Sequence, residues 1–144
     1  MKIRAHHLLC IQGFQGYGYS EEFTKNLSKI IRSLKSFSNQ KIEIITECDI
    51  ICSYCPYNID EICHKDKESY EKIKEMDAKV LEKLEIPDKS TFKANEIFSI
   101  TNKRLTGFDL EEICGDCSWK DKCLVFKENA TLNFQILNMK KQEY

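Results

Sequence analysis

Cys52-Ser53-Tyr54-Cys55-Pro56, followed by Cys63, and Cys114-Gly115-Asp116-Cys117-Ser118-Trp119, followed by Cys123, decide how this chain is read. Each is a C-x2-C pair with one further cysteine. Two residues between cysteines let both sulfurs point at one centre while the intervening amides turn toward it, a local chelate shared by zinc and iron-sulfur sites. Both groups fall between helical patterns, in irregular stretches whose backbone a bound metal can organise.

Upstream of the first group, Lys41 to Glu47 alternates, with Ile42 and Ile44 on one side and Glu43 and Ile45 on the other, which reads as a short strand. Before it, Ser20 is a fitting N-cap, Glu21 and Glu22 suit the positive helix start, and Phe23, Leu27, Ile30, Ile31, Leu34 and Phe37 repeat along one helical face. Gly13 to Tyr19 holds three glycines among aromatic residues and reads as a tight loop. Between the two groups a helix is expected from about Lys67 to Leu84, with Tyr70, Ile73, Val80, Leu81 and Leu84 inward, its other face charged and solvated, and Pro87 beyond its end. Asp88-Lys89-Ser90-Thr91 then offers a cap for a helix carrying Phe92, Ile97, Phe98 and Ile100 that ends before Gly107. Asp109 with Glu112 resembles a capping pair, and a last helix is expected from near Asp121 through Leu124, Val125, Leu132, Ile136 and Leu137. The expected fold is mainly α with one or two short β-strands, a small α+β arrangement in one compact domain over residues 1–144, with metal sites in the loops between helices.

The chain has 144 residues with 22 basic against 23 acidic, a formal net charge of -1. That balance argues against a surface built for nucleic acid or anionic lipid. The start, Met1 to Cys10, is too interrupted for a signal peptide, and no stretch is long and apolar enough to span a bilayer. The expectation is a cytoplasmic protein without a membrane or nucleic-acid partner. In that reducing compartment Cys10, Cys48, Cys52, Cys55, Cys63, Cys114, Cys117 and Cys123 are read as thiols able to bind metal rather than as disulfides.

The third cysteine of each group favours iron-sulfur over zinc. A zinc ribbon is usually completed by a second C-x2-C pair, whereas here each group adds a single cysteine at a looser distance. Pro56 directly after Cys55 also resembles the Cys-Pro of bacterial ferredoxins. A four-iron cluster takes four thiolates, and the triads 52/55/63 and 114/117/123 leave Cys10 and Cys48 over. Two arrangements stay open: two clusters, each with one triad and one spare cysteine, or a single site drawing from both groups. Cys48 reads equally as a small buried hydrophobe at a strand end. His7 and Cys10, three apart, share a face if their segment is helical, so His7 is a further candidate ligand, set against the plainer reading that one of His6 and His7 satisfies backbone groups and the other lies at the surface. Either imidazole could instead donate to a cluster sulfur. A Cys-His nucleophile is conceivable, with no third orienting group identifiable. Trp119 could shield a cluster or simply fill core, and Lys120, Lys122 and Lys127 read as a solvated face.

His6-His7-Leu8-Leu9-Cys10, Gly13 to Ser20, Asp49-Ile50-Ile51-Cys52, and Ile113 to Trp119 with Cys123 together resemble domain of unknown function family 1284, whose members are sometimes labelled iron-sulfur binding. The resemblance spans nearly the whole chain. It implies that Cys10, Cys52, Cys63, Cys114, Cys117 and Cys123 belong to the family pattern, with Cys55 variable and Cys48 not placed there, and it implies no reaction.

The leading expectation is therefore an iron-sulfur protein with one or two clusters of the four-iron type, held by Cys10, Cys52, Cys55, Cys63, Cys114, Cys117 and Cys123, acting in electron transfer with a redox partner protein. One alternative is a zinc-binding structural or interaction module. The other is a metal- or cysteine-dependent enzyme using the His6-His7-Cys10 segment, a class the chain leans away from. No phosphate-binding loop, dinucleotide fingerprint or serine-triad signature is present.

Overall fold

Ile3, Ile42 and Ile44 have no solvent exposure and mark the centre of the molecule. They belong to a computed structural model that describes residues 1–65, 67–123 and 125. In chain order the described residues form β1 (Lys2–Arg4), α1 (His7–Gly13), α2 (Glu21–Ser36), β2 (Lys41–Ile45), a 3-10 turn (Cys52–Tyr54), β3 (Asn58–Ile59) and β4 (Ile62–Cys63). Then follow α3 (Ser69–Leu84), β5 (Ser90–Lys93), α4 (Ala94–Arg104), α5 (Gly107–Cys114) and a second 3-10 turn (Lys120–Lys122).

Three strands make the central sheet, in the order β1-β2-β5. β1 runs parallel to β2 with Ile3 opposite Ile44, and β5 runs antiparallel to β2 with Phe92 opposite Ile42. Parallel neighbours need a long crossover, and α1 with α2 supplies it. Leu27, Ile30, Ile31 and Leu34 of α2 are buried at the spacing of one helical face, in one core cluster with Leu8, Leu9, Ile3, Ile42 and Ile44. Val80 and Leu84 of α3 and Ile97 and Phe98 of α4 join the same cluster. Burying one such aliphatic side chain stabilises the fold by about 1.5–3 kcal/mol.

α2 begins as its sequence suggests, with the Ser20 hydroxyl accepting from the Phe23 amide at 3.1 Å. The whole is the small, mainly helical α+β arrangement expected, with five short strands among the described residues. Some elements depart from expectation. Phe92 is not helical: residues 90–93 pair with the free edge of β2, and the chain turns helical only at Ala94, whose amide donates to the Gln40 carbonyl at 2.9 Å. The edge of β2 outweighs local helix propensity there. The capping pair at α5 is Thr106 with Asp109, whose carboxylate accepts from the Thr106 amide at 2.8 Å, not Asp109 with Glu112. Of the helix expected from Asp121, the first residues form the second 3-10 turn, and Leu124 with residues 126–144 lies outside the described residues.

The expected solvated face of α3 contains an exception that anchors the fold. Asp77 is wholly buried and takes three hydrogen bonds from the start of the chain: Arg4 Nε at 2.6 Å, the His6 amide at 3.0 Å, and His6 Nδ1 at 2.8 Å. Burial alone would raise the carboxyl pKa, but His6 and Arg4 outweigh it and hold it below the usual range. Asp77→Ala strands a buried guanidinium and should destabilise the chain by about 3–5 kcal/mol, measured by urea unfolding. Since the folded-state pKa lies below the unfolded one, the stability contributed by Asp77 is complete at neutral pH and is lost as the pH falls below about 4, a loss the variant should not show.

Candidate metal centre

Asp49 builds the first cysteine loop. Its Oδ1 accepts from the amides of Ile51 (2.9 Å) and Cys52 (3.0 Å), which starts the 3-10 turn, and the Cys55 amide closes that turn on the Cys52 carbonyl at 2.9 Å. The chain then reverses at Asp60-Glu61, both with positive φ (52° and 63°), a two-residue hairpin that sets Cys63 opposite Asn58. Positive φ at both central residues is what the right-handed strand twist demands. Cys48 joins this group from the end of β2: its thiol donates to the Glu61 carbonyl at 3.1 Å and is hydrogen-bonded to Cys52. It also lies 3.9 Å from Arg4 Nη1. Cys48 is therefore no isolated hydrophobe, and Cys48, Cys52, Cys55 and Cys63 form one neighbourhood, in which Cys63 and Cys48 both act electrostatically on Cys55.

The second group is wound by consecutive turns. α5 ends at Cys114, after which the Cys117 amide donates to the Cys114 carbonyl (2.9 Å), Lys120 to Cys117 (3.1 Å) and Cys123 to Lys120 (3.4 Å). Cys10 arrives from α1 to make a fourth member. Burial pushes its thiol well above the ordinary pKa, and Cys117, Cys114, Cys123 and Asp49 push it further. Burial, then Cys117 and Cys123, likewise push Cys114 up to about 12. Gly13, one helical turn after Cys10, makes room: a methyl group there would collide with the Cys123 sulfur. Cys10 thus neighbours the second triad and Cys48 the first. None of the eight is disulfide-bonded.

Both histidines are oriented by buried carboxylates, contrary to the expectation of one backbone-bonded and one surface imidazole. His6 pairs with Asp77, and His7 Nδ1 lies 2.7 Å from Asp49 Oδ2, which also accepts from the Arg4 amide at 2.7 Å. Although burial opposes ionisation, His7 and the amides of Arg4 and Cys52 hold the Asp49 carboxyl well below its usual range. An ionised carboxylate makes each Nδ1 a donor, leaving Nε2 as the nitrogen open to a ligand. His7, Asp49 and Cys52 bring one potential ligand atom each within 4.8 Å. Asp49 already receives four hydrogen bonds, so it acts as the orienter of His7 rather than as a ligand.

A cavity of about 480 Å³ connects the two groups and is lined by all eight cysteines together with His6, His7, Tyr19 and Trp119. Trp119 is half-buried and packs edge-on against Tyr19, with centroids 5.3 Å apart, so it belongs to the wall of the cavity and not to the core cluster. Lys120 pairs with Glu111 at 2.7 Å. Sequence reasoning missed the orienting roles of Arg4, Asp49 and Asp77. Asp49, three residues before Cys52, carried a usable signal, because aspartate commonly caps the turn that follows it. Asp77 carried none, standing among the charged residues of an amphipathic helix.

The family described as Protein of unknown function (DUF1284) matches residues 18–123, and the chain belongs to it. Cys10 and the two histidines precede the matched stretch. No curated protein and no solved structure matches the chain. No described helix is long and apolar enough to cross a membrane.

Gly13→Ala should push Cys123 away from Cys10. The expected result is a loss of about tenfold or more in affinity of the second group for a thiophilic ion such as Co(II), read from its thiolate absorption, with the first group unaffected.

Proposed function

We propose that this member of the family is an iron-sulfur protein with two four-cysteine centres, one held by Cys48, Cys52, Cys55 and Cys63 and the other by Cys10, Cys114, Cys117 and Cys123, serving electron transfer. Four-iron clusters bound to four thiolates exchange single electrons at potentials that the surrounding protein sets. The observation that carries this reading is the cavity of about 480 Å³ lined by all eight cysteines. Each C-x2-C pair is joined there by a single looser cysteine and by one from elsewhere in the chain, a pattern nearer to four-iron ligation than to a zinc ribbon.

The chain's own residues would do three things there. The turns closed by the Cys55 and Cys117 amides fix the relative directions of paired sulfurs. Arg4, with its guanidinium 3.9 Å from Cys48, places positive charge beside the first group, where it favours a thiolate. Half-buried Trp119 and buried Phe14, both on the cavity wall, limit the entry of water, which keeps the local dielectric low and shifts the potential.

A second reading rests on the two His-Asp pairs. Imidazoles that line a cavity with Nδ1 held by a carboxylate suit proton transfer to a bound substrate, which would make the protein an enzyme.

Anaerobic purification followed by visible absorption and analysis of iron, sulfide and zinc tests the first reading. A brown protein with about four iron and four sulfide per centre is expected, and zinc without iron would contradict it. Cys48→Ser and Cys10→Ser should each remove one centre and leave the other. Removing the metal with a chelator should lower the melting temperature, because bound metal contributes to folding free energy. For the second reading, replacing His6 and His7 by Gln must abolish a turnover while leaving metal content intact.

A further inference from the structure

Tyr19 touches side chains from both cysteine groups. Its ring stands edge-on to Tyr57, two residues past Cys55, with centroids 5.2 Å apart, and to Trp119, two residues past Cys117, at 5.3 Å. Its hydroxyl engages the Trp119 side chain and accepts from Lys65 Nζ at 3.3 Å. Lys65 stands two residues past Cys63 and also donates to the Ser118 hydroxyl, next to Cys117. Tyr19 also stands edge-on to Phe23 of α2, with centroids 5.4 Å apart. The two metal loops thus share one half-buried aromatic that is rooted on the rigid core helix.

The loops are otherwise slight. The first is a 3-10 turn and a hairpin of two-residue strands, and the second is a chain of single turns. Fixing each backbone residue costs about 1–2 kcal/mol in conformational entropy, so ordering such loops opposes metal binding. When one loop is ordered around its metal, Tyr57 or Trp119 is placed against Tyr19, and through Tyr19 and Lys65 the other loop is ordered in part before its own metal arrives. Binding at either centre then favours binding at the other, and the effect is reciprocal.

We propose that Tyr19 is a positioning residue that couples the two centres, so that they fill together instead of one at a time. The proposal rests on the reading of the two cysteine groups as metal centres. Native mass spectrometry of the full chain, reconstituted anaerobically with limiting iron and sulfide, counts molecules carrying none, one or two centres. Independent equal sites leave roughly half of the molecules with one centre at half saturation. The wild-type chain should fall severalfold below that fraction, Tyr19→Leu should rise to it or above it, and Tyr19→Phe, which keeps the ring, should stay near wild type. If Tyr19→Leu does not fold, Tyr57→Leu removes one of the same contacts and must raise the half-loaded fraction. Cys52→Ser should weaken loading of the second group severalfold, and Tyr19→Leu should add little to that loss. Clusters that load independently in the wild-type chain, or cooperatively in Tyr19→Leu, would overturn the coupling alone. A chain that takes up no cluster would overturn the reading of the site and the coupling with it.

Discussion

Four thiols gathered away from water resist losing their protons unless a cation replaces them, and eight thiols ring one cavity in this protein. Burial and mutual repulsion push Cys114 up to about 12 and Cys10 well above its ordinary value. Without a positive partner such thiols are small apolar side chains with weak donors, and Cys114 packs as one in the core cluster. With a metal, the same arrangement gains a binding free energy that unstructured loops cannot supply for themselves. The helices and the central sheet carry the fold, and the cysteine loops are held to it by short turns and by Asp49.

Two buried carboxylates join the scaffold to the loops. Asp77 of α3 fastens Arg4 and His6, and Asp49 fastens His7 and caps the turn that presents Cys52. β1 thus feeds four consecutive residues, Arg4 to His7, into the region between the two groups, and α1 then delivers Cys10. Each carboxylate takes several donors, which offsets the cost of placing its charge out of water.

Much of this was legible in the sequence where the signal is local. The helical spacing from Phe23 to Phe37 and the Ser20 cap located α2, and the alternation at Lys41 to Glu47 located β2. The two C-x2-C pairs marked the two loops that line the cavity. What could not be read depends on contacts between distant segments. Residues 90–93 became a strand because β2 offered an edge, while α1 brings Cys10 to the second group and the end of β2 brings Cys48 to the first. Asp77 was indistinguishable from its solvated neighbours on α3 until Arg4 and His6 were placed against it. Tyr19 lay in a glycine-aromatic stretch that showed a loop without showing what the loop holds together.

Anomalous scattering at the iron edge from crystals grown without oxygen tests the central claim most directly. The account predicts two separate iron centres, one bounded by Cys48, Cys52, Cys55 and Cys63 and the other by Cys10, Cys114, Cys117 and Cys123. A single centre drawing sulfurs from both groups, or a zinc signal with no iron at either, would contradict it.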